Sequence, residues 1–255
     1  MYIEVDFPRM KITACCITWN RPRELERLIE CFTRQTHKDR ELLILDDAGQ
    51  YPDEPSGDRW QVISINKRFD CIGAKRNALA FMTGDTDSLA VWDTDDIYLP
   101  WALESSVNAL EKSPWAQCHE VLEWSTPYSW TRHETFSRAH RKVLGYHGSW
   151  SYRKSAFIDV GGYPATGQED NPLRVKMIER FGMSANPICK DYPDPWYVYS
   201  RGASHISTLY ANAKSFQAAW DQMGAEEVTQ ETLTPGWDQD YLAIDMPTRL
   251  RCRPW

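Results

Sequence analysis

The sequence predicts an α/β protein with a mostly parallel central sheet flanked by helices. Three observations carry this. Apolar, β-branched runs alternate with helix-period segments over residues 11–100, the connections are short, and two of the runs end abruptly in carboxylates. Lys11 to Thr18 is the first such run and reads as a buried strand. Trp19 to Pro22 breaks it, with Asn20 expected to cap the next helix and Pro22 suited to its first turn. Leu25, Leu28, Ile29 and Phe32 then share one helical face. Glu41 to Asp46 is a second strand, Tyr51 to Arg59 a Pro-, Asp- and Gly-rich loop, Gln61 to Asn66 a third strand, and Ile72 to Met82 a helix.

The most informative stretch is Ser88 to Pro100. An apolar strand, Leu89 to Trp92, ends in Asp93, Asp95 and Asp96. Carboxylates this close repel one another, and a hard divalent cation, magnesium or manganese, relieves that repulsion. In open α/β sheets the carboxyl ends of strands are also where ligands bind. The plainer reading, that the acids cap the following helix in water, stands beside it.

Further on, the order of elements changes. A helix (Trp101 to Glu111) and a strand (about Cys118 to Trp124) precede Thr131 to Lys154, which carries a net +5 in a chain of net charge −7. Gly161 to Pro164 reads as a turn, Gln168 to Asn171 as the approach to a helix, Trp196 to Tyr199 as a short strand, and the region after Tyr210 as a helix followed by a Pro- and Trp-rich tail. The expected division is 1–210 as the main domain, with 11–100 and 101–210 as its halves, and 211–255 as a tail packing on it.

Composition narrows the classes. With 42% hydrophobic and 25% charged residues, the 255-residue chain has ample material for a core. Its acidity gives no global invitation to nucleic acid or anionic membranes. No run approaches a membrane span, and the first six residues lack a signal peptide's character, so a cytoplasmic protein is expected. Seven scattered cysteines without a Cys-x-x-Cys pair argue against a disulfide framework or zinc site. Gly73 stands alone where dinucleotide or P-loop motifs need several glycines. Twelve tryptophans suit a site for flat amphipathic ligands such as sugars.

From about Lys11 to Ser207 the chain resembles the family 2 glycosyltransferases of GT-A fold. The resemblance rests on Ile17-Thr-Trp-Asn-Arg-Pro22, Leu45-Asp-Asp47, Gly73-Ala-Lys-Arg-Asn77, Trp92-Asp-Thr-Asp-Asp96, Gly161-Gly-Tyr163, Glu169-Asp170 and His205. It implies metal-dependent, inverting transfer of a sugar from a nucleotide-sugar, UDP-linked foremost, to an acceptor hydroxyl. Thr18, Asn20, Arg21 and Asp47 would line the nucleotide pocket, with Asp47 accepting from a uracil-like N–H. Lys75 and Arg76 would lie by the diphosphate and Asp93 by the ribose or donor sugar. Asp95, with Asp96 and His205, would hold the metal. Asp170 would be the catalytic base, with Glu169 its supporting neighbour.

Blander readings remain open here: turn capping for Asp46 and Asp47, a solvated helix face for Lys75, and helix capping for Glu169 and Asp170. The span 131–154 is either a loop folding over the donor or an acceptor surface for a polyanion, with Trp130, Tyr146 and Trp150 for stacking. Acceptors thus include a glycan, a lipid-linked sugar or a hydroxylated base in a polynucleotide. Two rivals are a nucleotidyltransferase, which wants glycines between Thr18 and Arg23, and a non-catalytic sugar-nucleotide or glycan-binding module, which predicts loss of Glu169-Asp170.

Overall fold

The structure, a computed structural model, describes residues 10–125, 135–140, 146–188, 190–192, 195–201 and 231–232. Its first half follows the alternation read from the sequence. Strand β1 (Ile12–Thr18) leads through helix α1 (Pro22–Thr33) to β2 (Arg40–Asp46). A two-residue strand, β3 (Ser56–Gly57), and β4 (Trp60–Ser64) precede helix α2 (Ile72–Met82) and β5 (Ser88–Asp93). After β5 come β6 (Ile97–Tyr98), α3 (Ala102–Leu110), β7 (Trp115–Ala116), β8 (Glu120–Ser125) and β9 (Thr135–His140). A 3-10 turn at His147–Ser149 opens β10 (Ser151–Arg153), followed by α4 (Lys154–Asp159), α5 (Asp170–Phe181), β11 (Tyr197–Arg201) and β12 (Glu231–Thr232).

Among the described residues the strands form a seven-stranded sheet, β3-β4-β2-β1-β5-β10-β7, and a five-stranded one, β12-β9-β8-β11-β6. Strands β4, β2, β1 and β5 run parallel, while β3 and β10 are antiparallel to their neighbours β4 and β5. The chain moves from β1 outward to β2 and β4, then returns to place β5 on the other side of β1. That reversal creates a switch point between β1 and β5, where open α/β sheets bind ligands at their carboxyl ends.

Period-2 alternation builds a core on each face. Ala14 and Cys16 of β1 join Leu25, Leu28, Ile29 and Phe32 of α1, Trp92 of β5 and Leu103 of α3 in one cluster. Leu89 and Val91 turn the other way, onto Ala80 of α2, Phe157 of α4 and Leu173 and Met177 of α5, with Cys15 packed alongside. Trp150 and Tyr152 belong to that second cluster, and Tyr146 to the first. Tyr146 and Trp150 are therefore core side chains, contrary to the expectation that they offer stacking faces to an acceptor; Trp130 lies outside the described residues.

Other expectations are adjusted. The loop at Tyr51 to Arg59 contains β3, pinned by its pairing with β4 rather than by any periodicity. Asn20 does not cap α1: it adopts φ 53°, which Asn tolerates, and its N–H donates to Gln50 Oε1 at 2.8 Å. Pro22 does occupy the first turn. Helix α5 starts at Asp170 itself. The expected helix after Tyr210 lies outside the described residues.

Candidate active site

The ends of β2, β1 and β5 bring the predicted residues together. Thr18 pairs in register with Asp46, and Ile17 with Asp93, so the acids terminating two strands flank the end of β1. Asp46 serves the turn that follows β2. Its Oδ1 accepts from Ala48 N–H at 3.0 Å, and its Oδ2 from Gln50 N–H and the Ser64 hydroxyl, both at 2.8 Å. Asp47 faces α2 instead: Oδ1 receives Lys75 Nζ at 2.6 Å and Arg68 Nη1 at 2.9 Å, and Oδ2 accepts from Phe69 N–H at 3.2 Å.

Lys75 is not on a solvated face. It is buried, and its ammonium also donates to the Thr18 carbonyl at 2.5 Å. Burial lowers its pKa, and the hydrogen bond and charge of Asp47 work against that. Beside this pair the exposed Trp19 ring carries the Arg68 guanidinium 4.6 Å from its centroid.

Helix α2 organises the other half of the site through three neighbouring residues. Gly73 lies so close to the 161–169 loop that a Cβ would fall 2.0 Å from the Pro164 carbonyl oxygen. Asn77 grips the same loop twice, donating to the Tyr163 carbonyl at 2.8 Å and accepting from Tyr163 N–H at 2.9 Å. This fixes a turn in which Gly161 and Gly162 adopt φ of 76° and 64°, values that favour glycine. Between them Arg76 spans the cleft floor, its Nη2 on Asp93 Oδ1 at 2.8 Å and its Nε on Glu169 Oε1 at 3.1 Å. Burial pushes the Asp93 carboxyl up, but the neighbouring basic groups, Arg76 foremost, together outweigh it and hold the pKa below the usual range. For Glu169 burial prevails over Arg76, and the pKa is raised. Asp170 follows as the exposed first residue of α5, its Oδ1 accepting from Asn171 N–H at 2.8 Å.

The three acids after β5 diverge. Asp95 Oδ2 meets Arg21 Nη1 at 2.7 Å, that arginine also reaching Thr94 Oγ1 at 3.3 Å, and Arg27 donates to the Asp95 carbonyl at 2.8 Å. Asp96 is turned into the second sheet, accepting from the Tyr197 hydroxyl and, at 2.9 Å, from Ser200 N–H. Burial, then the charges of Asp95 and Asp93, raise its pKa well above the usual range. Both oxygens being engaged by β11, Asp96 fits a scaffold better than the metal-ligand place expected for it. Asp93 and Asp95 retain side-chain exposures of 25% and 15%, so their hard oxygens are reachable and fit a magnesium or manganese ion that keeps water and phosphate ligands. Among the described residues no group of three or more metal-ligating side chains is assembled, and His205 lies outside them.

Two features escaped the sequence reading. Tyr98, stacked on Trp92 at 4.1 Å, accepts from Asp93 N–H at 2.7 Å and donates to the Gly148 carbonyl at 3.0 Å, tying the Asp93 turn to the start of β10. His147 lies beside that contact and bonds the Tyr163 hydroxyl. The basic span is also partly spoken for. Arg153 donates to the Leu110 and Glu111 carbonyls at the end of α3, at 2.8 and 3.0 Å, and Lys154 Nζ donates to the Gly84 carbonyl.

A Rossmann-like sheet with carboxylates at its switch point, tied through Arg76 to Glu169 at the start of α5, fits the class of GT-A nucleotide-sugar transferase folds. Residues 13–161 match the family described as Glycosyl transferase family 2, and the chain belongs to that family. A relative from Bacillus subtilis (strain 168), the uncharacterized glycosyltransferase YwdF, is 30% identical over 110 residues, spanning 40% of this chain and 39% of that protein. Among solved structures, Staphylococcus aureus TarS 1-349 in complex with UDP-GlcNAc is similar with a TM-score of 0.54 at 13% identity, over 77% of this chain and 60% of that one. The mannosyltransferase PcManGT from Pyrobaculum calidifontis, in complex with GDP-Man and Mn2+, is similar with a TM-score of 0.51 at 14% identity, over 87% and 66%. These two likenesses bear on the fold.

Proposed function

We propose that the protein is a metal-assisted, inverting glycosyltransferase that takes a sugar from a nucleoside-diphosphate donor, UDP-linked foremost, to an acceptor hydroxyl. The observation that carries this reading is the Arg76 bridge, which joins Asp93 at the donor strand end to Glu169 beside Asp170. Donor-side and acceptor-side acids thus belong to one site. The family supports a nucleotide-sugar as donor, and the uridine and guanosine donors in the similar structures make both bases worth testing.

In this reading Thr18, Asn20 and Trp19 border the base and Asp47 accepts its N–H. That requires the Asp47 side chain to be shared with Lys75 and Arg68. Arg21 leaves Asp95 for the diphosphate, where a planar guanidinium suits phosphate oxygens. Asp95 and Asp93, with His205 from outside the described residues, would hold the cation; Asp96 supports the turn beneath them. Bound there, a divalent cation would supply charge neutralisation to the departing diphosphate. Asp170 takes the proton of the attacking hydroxyl, while Glu169, held by Arg76, fixes where α5 begins. With Trp150 and Tyr146 in the core and Arg153 and Lys154 on carbonyls, a glycan or lipid-linked acceptor is favoured over a polynucleotide. The intact Glu169-Asp170 pair speaks against a mere binding module.

The test is turnover. With manganese, the protein should release nucleoside diphosphate from one of UDP-glucose, UDP-GlcNAc, UDP-galactose or GDP-mannose, faster with a mixed-glycan acceptor. Asp170→Asn should abolish the acceptor-stimulated part and keep donor binding. Full acceptor-stimulated turnover in that variant removes Asp170 from the mechanism.

A further inference from the structure

His147 has no part in the proposed function, yet its place in the sheet is informative. In the order β2-β1-β5-β10, the nucleotide-side residues Asp47 and Thr18 lie at the ends of β2 and β1, and Asp93 at the end of β5. His147 opens the 3-10 turn that enters β10, one strand further on, and the turn is anchored to β5 by Val91 N–H on the Trp150 carbonyl at 2.8 Å. If, as proposed above, the base lies at the ends of β2 and β1 and the diphosphate at β5, the sugar that follows the diphosphate comes to lie beyond β5, toward β10. The Gly148 carbonyl next to it accepts from the Tyr98 hydroxyl, which itself accepts from Asp93 N–H, and His147 Nε2 meets the Tyr163 hydroxyl, so the residue sits between the Asp93 turn and the 161–169 loop that leads to Asp170.

Hydrogen-bond accounting fixes the form of the ring. His147 Nε2 and the Tyr163 hydroxyl are 2.9 Å apart, and that hydroxyl is 2.5 Å from the buried Tyr152 hydroxyl. Tyr163 is the Tyr152 hydroxyl's hydrogen-bond partner among the described residues. If Nε2 carried the proton, it would donate to Tyr163, Tyr163 to Tyr152, and the Tyr152 proton would be left buried without an acceptor. The opposite direction gives both tyrosine protons an acceptor and leaves Nδ1–H open: Tyr152 donates to Tyr163, and Tyr163 to Nε2. The proton of the neutral ring then sits on Nδ1. Burial, with Arg76 adding to it, lowers the ring's pKa to about 3, so the neutral form prevails at ordinary pH. Edge-on contacts with Trp150 (4.8 Å, 87°) and Tyr163 (5.5 Å, 84°) hold the ring's orientation.

We propose that His147 is a sugar-binding residue of the transfer site, its Nδ1–H donating to a hydroxyl oxygen of the sugar being transferred. This rests on the function proposed above. The Tyr152–Tyr163 relay is the positioning device that sets the tautomer, and it makes the donor available at no cost in protonation.

Calorimetry with manganese tests it on two ligand pairs, UDP with UDP-glucose and UDP-GlcNAc, and GDP with GDP-mannose. His147→Phe, which keeps the ring packing, should leave the diphosphate affinity within about twofold and weaken the cognate nucleotide-sugar about tenfold, the size of one lost hydrogen bond. His147→Gln should recover part of that loss. Equal weakening of diphosphate and nucleotide-sugar, no weakening, or a change confined to the acceptor KM overturns the assignment. Absence of binding in the wild type removes the proposed function and this assignment together; wild-type binding with an unaffected variant removes the assignment alone. Independently of variant folding, 15N NMR of the histidine-labelled protein should show His147 protonated at Nδ1, with the population redistributed in Tyr152→Phe. An Nε2-protonated ring in the wild type contradicts the relay.

Discussion

Replacing Arg76 by Met removes the charge that joins the two halves of the site while keeping most of the side chain's bulk. In the wild type its guanidinium lies 2.8 Å from Asp93 and 3.1 Å from Glu169, with side-chain exposures of 8% for Arg76, 25% for Asp93 and 8% for Glu169. Removing one partner of a buried ion pair costs about 3–5 kcal/mol, because the other charge stays desolvated. Asp93 is open enough for water to relieve part of that, whereas Glu169 is not, so about 3 kcal/mol is expected. With a urea slope of about 3 kcal/mol per molar, the unfolding midpoint should fall by about 1 M. Adding Glu169→Gln to Arg76→Met removes the stranded carboxylate and should recover about 1–2 kcal/mol, a non-additivity diagnostic of the pair. A midpoint within 0.3 M of wild type for Arg76→Met, or strict additivity in the double variant (thresholds of roughly the size at which couplings become measurable), would falsify the idea that this bridge holds the site together.

Three further outcomes follow from the same geometry. Asp95→Asn should lose metal-dependent nucleotide binding, whereas Asp96→Asn, whose side chain braces Tyr197 and Ser200, should keep it; the reverse pattern by calorimetry would exchange their roles. Gly73→Ala should destabilise by about 1–3 kcal/mol, against the gain of up to about 1 kcal/mol that an alanine brings to an unobstructed helix, because its Cβ meets the Pro164 carbonyl. A more stable Gly73→Ala protein would refute that close approach. His147, with a folded pKa lowered to about 3 from 6.5, leaves the unfolded chain binding more protons below pH 6.5. Stability is therefore lost as pH falls from 6.5 toward 3, by about 2 kcal/mol at pH 5, and in urea titrations His147→Phe should lack this component.

Much of this was legible because periodicity reports burial. The runs ending at Thr18, Asp46 and Asp93 and the face of α1 are long enough for an alternation or a 3.6-residue repeat to register. Strands β3, β7 and β10 hold two or three residues each, and their pairing is decided by partners far along the chain. Adjacent acids pose a different difficulty: Asp95 and Asp96 are chemically identical, and only the turn into β6 decides that one faces the cleft and the other Tyr197. Lys75 could equally have faced water, since its burial depends on Asp47 arriving from another strand. Trp150 illustrates the converse, its sequence neighbours being basic while the sheet places it in the core. His147 was hidden by the same basic surroundings, and nothing local to it indicates the tyrosine pair that fixes its proton.

The central claim is that the ends of β1, β2 and β5 form a metal-assisted nucleoside-diphosphate site. Calorimetric titration of UDP and GDP, each with manganese and with chelator, in wild type and Asp95→Asn, addresses it most directly. The account predicts that one diphosphate binds with manganese, that chelator abolishes the binding, and that Asp95→Asn lacks it. Wild-type protein that binds neither diphosphate, or binds one equally well in chelator and in Asp95→Asn, would contradict the claim.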